Sequence, residues 1–143
     1  MTTPSLGVAV GSKAIVTNTV TDADVEAFAK VSGDHNPIHL DNSYAAKTRF
    51  KKRLAHGMLS AGYISAALVK LPDPHVSVVF LSQSLRFRRP VFLGDTITTT
   101  VEVTAVDSER RRATVSTVCS NQTGEQVVVG EAEILLDTYP FAG

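Results

Sequence analysis

Four long strand-like runs in the second half of the chain constrain the fold more than any other feature. They cover residues 76–89, 96–106, 112–120 and 126–136. Residues that favour turns, such as Gly94-Asp95, lie between them. From Ile97 to Thr104 the second run places apolar residues and Thr99 on one face and polar residues on the other. This alternation is typical of an antiparallel sheet with one packed face and one wetted face.

The first half of the chain predicts one strand and several helices. A strand is expected at Ala14–Val20, and the next helix is capped by Thr21 or Asp22 and ends at Gly33. A further helix is expected at Met58–Leu71, where small residues dominate. The pattern predicts an α+β fold, with a long antiparallel sheet around a central helix. We expect a single domain over residues 1–143, with a loose N-terminal arm at residues 1–11.

Composition excludes several classes of protein. The 143 residues carry 14 basic and 14 acidic side chains, and this zero net charge argues against a nucleic-acid-binding surface. The single cysteine, Cys119, cannot form an internal disulfide, which predicts a reducing compartment. No signal peptide is visible, and no apolar run reaches the length of about 18 residues that a membrane span needs. We therefore expect a cytoplasmic protein with no membrane association.

The turn from Asp34 to Asp41 concentrates the residues that could carry chemistry. Asp34 and His39 offer an acid and a base on one rigid segment, and such a pair contributes about 10² to 10⁴-fold to a reaction. Pro37 prevents a plain helix through the whole segment, and Asn36 could orient the pair. A purely structural turn, in which Asp34 caps backbone amides and His39 packs, is an equal alternative from the residues alone.

A metal site is a weaker interpretation of the same turn. His35 and His39 are four residues apart, but Pro37 argues against one continuous helix that would align them. No cysteine pair completes a ligand set, and the only further histidine close in sequence is His56. The sequence therefore predicts no metal.

A glycine at the start of the central helix is the second candidate element. The first amides of a helix have no partner within it, so the Gly57 amide could donate to a substrate carbonyl oxygen. The alternative is an ordinary glycine at a helix start, beside a packing histidine, His56.

Arginines mark a third candidate element. Arg86, Arg88 and Arg89 could recognise phosphates, or could simply lie on a solvated strand face, while residues 47–53 are expected to form an exposed basic connector. The chain has neither a glycine-rich phosphate loop before a helix nor a Gly-x-Ser-x-Gly elbow. These absences point away from nucleotide-dependent chemistry and from a serine nucleophile.

Three segments together resemble the MaoC-like dehydratases, a family that includes the (R)-specific enoyl-CoA hydratases. They are Asp34-His35-Asn36-Pro37-Ile38-His39-Leu40-Asp41, then His56-Gly57-Met58, and a later strand and turn at residues 86–95. The resemblance implies a hotdog fold, in which the sheet wraps a long central helix. It also implies a homodimer formed edge to edge and reversible syn hydration of a trans-2-enoyl-CoA to the (R)-3-hydroxyacyl-CoA.

The resemblance also assigns roles to residues. Asp34 and His39 are the implied catalytic dyad, Asn36 orients it, and the Gly57 amide polarises the thioester carbonyl of the acyl-CoA substrate. No cofactor is implied. Two alternatives stay open: a (3R)-hydroxyacyl-acyl-carrier-protein dehydratase, and a non-catalytic domain that binds acyl-CoA. A hotdog thioesterase is disfavoured, because the predicted central helix contains no Asp or Glu.

Overall fold

The structure is a computed structural model and describes residues 6–138. It contains four helices: α1 (Asp22–Ser32), α2 (Pro37–Leu40), α3 (Asn42–Ala46) and α4 (Gly57–Leu68). It contains five strands: β1 (Lys13–Thr19), β2 (Val76–Phe87), β3 (Thr96–Asp107), β4 (Arg112–Ser120) and β5 (Gln126–Thr138). The predicted α+β class is confirmed, and each long run of the second half is a strand.

The strands form one antiparallel sheet in the order β1-β3-β4-β5-β2. The helix α4 packs against β1, β2, β3 and β4, so it is the central helix that the sequence predicted. Its Ile64, Ala67 and Leu68 are almost completely buried. On the facing side of the sheet, alternate residues such as Val101 and Val115 are inaccessible to solvent. Period-2 alternation in the strands thus builds one packed face against the helix.

The helix α1 has the boundaries that its sequence signals predict. The Thr21 hydroxyl accepts a hydrogen bond from the Asp24 amide, and the Asp24 carboxylate accepts one from the Thr21 amide. This is a reciprocal capping box. At the other end Gly33 adopts the left-handed conformation with φ 80°, which glycine accommodates without strain, and its amide bonds the Ala29 carbonyl.

Two expectations for the first half need adjustment. The small-residue helix was expected at Met58–Leu71, but it starts at Gly57 and ends at Leu68. The connector at residues 47–53 is not exposed throughout, because Arg53 is only 9% exposed. Residues 1–5 of the expected arm lie outside the described residues, and Leu6 packs into the hydrophobic core.

The edge strand β2 exposes three consecutive apolar side chains. Within the described residues it pairs with β5 on one side only. Val79, Phe80 and Leu81 on this strand are 47%, 41% and 41% exposed. No helix of the described region is long and apolar enough to span a bilayer.

Candidate active site

The turn that follows α1 holds Asp34 in place through short-range hydrogen bonds. The Asp34 amide donates to the Ser32 hydroxyl, and the Asp34 carboxylate accepts from the Asn36 amide at 3.2 Å. The Asn36 side chain accepts from the Ile38 amide and so caps α2, whose first residue is Pro37. Proline suits this first helical position because the missing amide would have no partner there. The chain is thus not helical at Asp34 but is helical at His39.

A second segment, around Leu54, supports His39. The Leu54 amide donates to the Ile38 carbonyl, and the Ala55 amide donates to the Val91 carbonyl at 2.7 Å. These bonds present the Leu54 carbonyl to His39, whose Nδ1 lies 2.8 Å from it. A carbonyl only accepts hydrogen bonds, so Nδ1 carries the hydrogen. The Nε2 lone pair of His39 is therefore the one left to accept a proton.

Arg53 supports the backbone of His39, a contact that the sequence did not reveal. Its Nε donates to the His39 carbonyl at 2.7 Å, and its Nη2 bonds the Asp22 carboxylate, also at 2.7 Å. Arg53 thereby ties α2 to the start of α1. No sequence signal marked it, because the basic run from residue 47 to residue 53 resembles a solvated loop.

His56 completes the cluster. Its ring is 2% exposed and stacks on that of His39, with centroids 3.9 Å apart and an interplanar angle of 28°. Its Nε2 lies 3.0 Å from the backbone carbonyl of Asp34. One ligand atom from each of Asp34, His39 and His56 lies within 4.8 Å of the other two. The structure therefore brings the predicted acid and base together and adds a second imidazole.

The cluster lines a cavity of about 560 Å³. Asp34, His39 and Gly57 line it, together with apolar side chains such as Phe87 and Val128. Gly57 begins α4, so its amide belongs to the helix start that has no partner inside the helix. Arg88 and Arg89 also line the cavity, and Arg89 pairs with Glu125 at 2.9 Å. Asn36 is not among the lining residues.

Burial tunes the basicity of His39. Desolvation lowers the pKa of this imidazole below its usual 6.5, and the charge of His56 lowers it further. The hydrogen bond to Leu54 and the charge of Asp34 act in the opposite direction. The net effect is to keep the ring neutral, the form that acts as a base, into mildly acidic solution.

The possible ligand set differs from the one considered for the sequence. His35 is exposed, with Nδ1 against the Gly33 carbonyl, and is not part of the cluster. His56, Asp34 and His39 offer two nitrogens and a carboxylate, which are donor types that metals accept. They are equally the donor types of acid–base catalysis. The absence of a metal stays a prediction.

Comparison with known proteins decides the family. A model of the MaoC like domain matches residues 9–126. The chain belongs to the MaoC-like domain family. The hotdog fold expected from the resemblance is confirmed by solved relatives. The (R)-hydratase of Aeromonas caviae involved in PHA biosynthesis superposes with a TM-score of 0.86 at 41% identity, over 92% of this chain and 98% of that one.

Curated relatives of this MaoC-like chain are enzymes. It is 43% identical to an (R)-specific enoyl-CoA hydratase of Rhodospirillum rubrum, over 88% of this chain and 86% of that protein. It is 46% identical to a 3-hydroxybutyryl-CoA dehydratase of Methylorubrum extorquens, over 86% of this chain and 77% of that protein. The prediction that this MaoC-like chain is an enzyme of the hydro-lyase class is confirmed.

Proposed function

We propose that the protein is an (R)-specific enoyl-CoA hydratase, which adds water reversibly to a trans-2-enoyl-CoA with syn stereochemistry. The observation that carries the proposal is the approach of Asp34 and His39 within 4.8 Å at the cavity, beside the first amide of α4. An acid and a base on the same side of a bound substrate suit syn addition, because both new bonds form on one face.

The proposed reaction assigns one task to each group. His39 Nε2 takes a proton from water as the water oxygen bonds to the β-carbon of the substrate. The Asp34 carboxyl, in its protonated form, delivers its proton to the α-carbon, and the proton held on His39 then returns through solvent to the Asp34 carboxylate, which restores both groups. During attack, enolate-like charge develops on the thioester oxygen, where the Gly57 amide donates. A donor aimed at developing charge helps most in the transition state.

The proposed role of Asn36 is to hold the turn. Its side chain caps α2, and its amide bonds the Asp34 carboxylate. Both contacts orient the dyad from outside the cavity. No cofactor enters the scheme, because the CoA thioester itself is the substrate. The cytoplasm is the proposed location, since a lone buried thiol at Cys119 suits a reducing compartment.

The test is spectroscopic. Purified protein is mixed with crotonyl-CoA, and hydration is followed as loss of the enoyl thioester absorbance, with chiral analysis of the product. We expect Asp34→Asn and His39→Ala to lower kcat by about 10² to 10⁴-fold. His75→Ala, at an exposed histidine outside the cavity lining, is the matched control and should keep native activity. Full activity in a folded dyad variant, or an (S) product, would contradict the proposal.

A parallel assay on crotonyl-acyl-carrier protein separates the carrier-protein dehydratase from the CoA enzyme. A faster rate on the CoA thioester is the expected result. A faster rate on the carrier-protein thioester would favour the dehydratase of fatty acid synthesis instead. Binding of crotonyl-CoA without turnover would leave only the acyl-CoA-binding domain.

A homodimer formed through β2 is part of the proposal. The open side of this edge strand and the exposed Val79, Phe80 and Leu81 offer an apolar surface for a second copy. Light scattering after size exclusion should give twice the chain mass. We expect Leu81→Lys to shift the protein toward monomer, while Ile15→Lys on the opposite edge strand leaves the dimer intact. The reverse pattern would place the interface at β1.

A further inference from the structure

The His56 side chain hydrogen-bonds to the backbone of Asp34 and not to its own helix. It occupies the N-cap position of α4, yet its side chain makes no capping hydrogen bond. Instead Nε2 lies 3.0 Å from the Asp34 carbonyl oxygen, 22 residues earlier in the chain. Because that oxygen can only accept, Nε2 carries the hydrogen. The bond ties the backbone of Asp34 to the start of the central helix.

The same ring supports the base of the dyad. His56 and His39 stack with centroids 3.9 Å apart, and Phe28 contacts His56 with centroids 4.8 Å apart. At 2% exposure the His56 ring has little freedom to move, so His39 rests on a fixed surface. A bond to Asp34 and a stack on His39 are two separate contacts from one side chain.

We infer that His56 is a positioning residue of the proposed hydratase, which holds the Asp34 backbone through Nε2 and the His39 ring through its face. The inference rests on the proposed function for its kinetic part. His56 needs no direct contact with the reacting atoms in this role. A misplacement of about 1 Å in such a pair can cost about 10²-fold in rate.

The stack also affects the protonation of His39. Three charged or titratable groups face this residue: the Asp34 carboxylate, the His56 ring, and the Arg53 guanidinium on its carbonyl. Of these, His56 acts to lower the pKa of His39, in the same direction as burial. Removal of His56 should therefore raise the pKa of His39. A residue that only filled space would have no such effect through charge.

Two variants separate the two contacts. His56→Gln keeps an amide donor for the Asp34 carbonyl and loses the aromatic face. His56→Phe keeps an aromatic face for His39 and loses the donor. Thermal unfolding and size exclusion establish that each variant is folded. Crotonyl-CoA kinetics then give kcat and KM across pH, and histidine NMR gives the titration of His39 without any substrate.

We expect kcat to fall by about tenfold to a hundredfold in both variants, with KM changed less than about threefold. The acidic limb of the pH profile and the NMR titration of His39 should both move to higher pH. Native kcat together with the native His39 titration, in either folded variant, would overturn the inference.

A measurement on the native protein needs no variant. Long-range nitrogen–proton NMR distinguishes the tautomers of each histidine. We expect hydrogen on Nε2 of His56 and on Nδ1 of His39, as their carbonyl partners require. The opposite tautomer at His56 would overturn the inference even if both variants fail to fold. If the native chain hydrates no enoyl thioester, the proposed function fails, while the His39 titration still decides whether His56 acts on His39.

Discussion

The aromatic ring of Phe87 lies over Gly57, so closely that a methyl group on this glycine would come within 2.8 Å of the ring's Cε1. The glycine at the start of α4 therefore has a packing reason in addition to its proposed role toward a substrate carbonyl. Gly57 is the first residue of α4 and lines the cavity, and Phe87, which covers it, is the last residue of β2.

Gly57→Ala should displace the Phe87 ring toward the cavity. We expect kcat/KM to fall by about tenfold or more, and the loss of stability to stay under about 1 kcal/mol, because the Phe87 side chain is 52% exposed and can rotate away. Urea denaturation and crotonyl-CoA hydration measure the two effects. In the double variant Gly57→Ala with Phe87→Ala the ring is absent. Its loss of stability should therefore be smaller than the sum of the losses of the two single variants. Strict additivity would show that the ring is not the obstacle.

The lowered pKa of His39 predicts the acidic limb of the reaction. Since burial and His56 hold this pKa below 6.5, His39 stays neutral as the pH drops through 6.5. The acidic limb of kcat/KM should therefore lie below pH 6.5, measured with crotonyl-CoA in buffers of constant ionic strength. A limb above pH 6.5 would contradict the assignment of His39 as the base.

The same shift predicts a dependence of stability on pH. An unfolded His39 takes up a proton near pH 6.5, while the folded ring takes it up only at lower pH. The contribution of His39 to stability is thus fully present above pH 6.5 and is lost as pH falls through the lower folded-state pKa. Urea unfolding of the native chain and of His39→Gln compares the slopes. Equal slopes in the two proteins between pH 5 and 7 would count against the shift.

Arg53 should contribute more to stability and to kcat than its ion-pair partner, Asp22. Arg53→Met removes both the bond to the His39 carbonyl and the bond to Asp22, and we expect a loss of about 1–3 kcal/mol with a lower kcat. Asp22→Asn keeps the bond to His39, and the Asp22 side chain is 60% exposed, so its effect should be under about 1 kcal/mol. Denaturation and crotonyl-CoA kinetics rank the two. A larger effect from Asp22→Asn would reverse the proposed order.

Arg88 and Arg89, which line the cavity, should recognise the phosphates of CoA. Arg88→Glu should raise KM for crotonyl-CoA by tenfold or so with kcat little changed, because it removes binding that is equal in ground and transition states. Crotonyl-pantetheine has no such phosphates, so its KM should not respond. Arg110→Glu, at an exposed turn outside this cavity, is the matched control for the change of charge. An equal rise in KM for both thioesters would exclude phosphate recognition.

Gly130 should tolerate no side chain. A methyl group here would collide with the Ser84 carbonyl of the neighbouring strand β2, and backbone cannot move aside as a flexible side chain can. We expect Gly130→Ala to cost about 3 kcal/mol in urea unfolding, at the upper end for overpacking. Gly62→Ala is the comparison, because nothing lies within 4 Å of its methyl position and alanine favours helix by about 1 kcal/mol. Similar losses in both variants would refute the collision.

Local sequence determined the elements and half of the site. Alternation with period 2 identified β3 and β4, and the capping signals at Thr21 and Gly33 bounded α1, because these patterns depend on near neighbours. For the same reason the turn carrying Asp34 and His39 was recognisable as an acid–base candidate. Neighbouring residues could not distinguish that role from a purely structural turn, because the distinction depends on contacts with distant segments.

Only the tertiary structure decided how distant segments meet. The strand order, with β5 beside β2, results from packing and loop closure over the whole chain. His56 and Arg53 joined the site through partners 22 and 14 residues away, and neither shows a periodic pattern. The crowding of Gly57 by Phe87 likewise joins a helix start to a strand end. Such contacts depend on the packing of the chain in three dimensions, which periodicity along one segment does not encode.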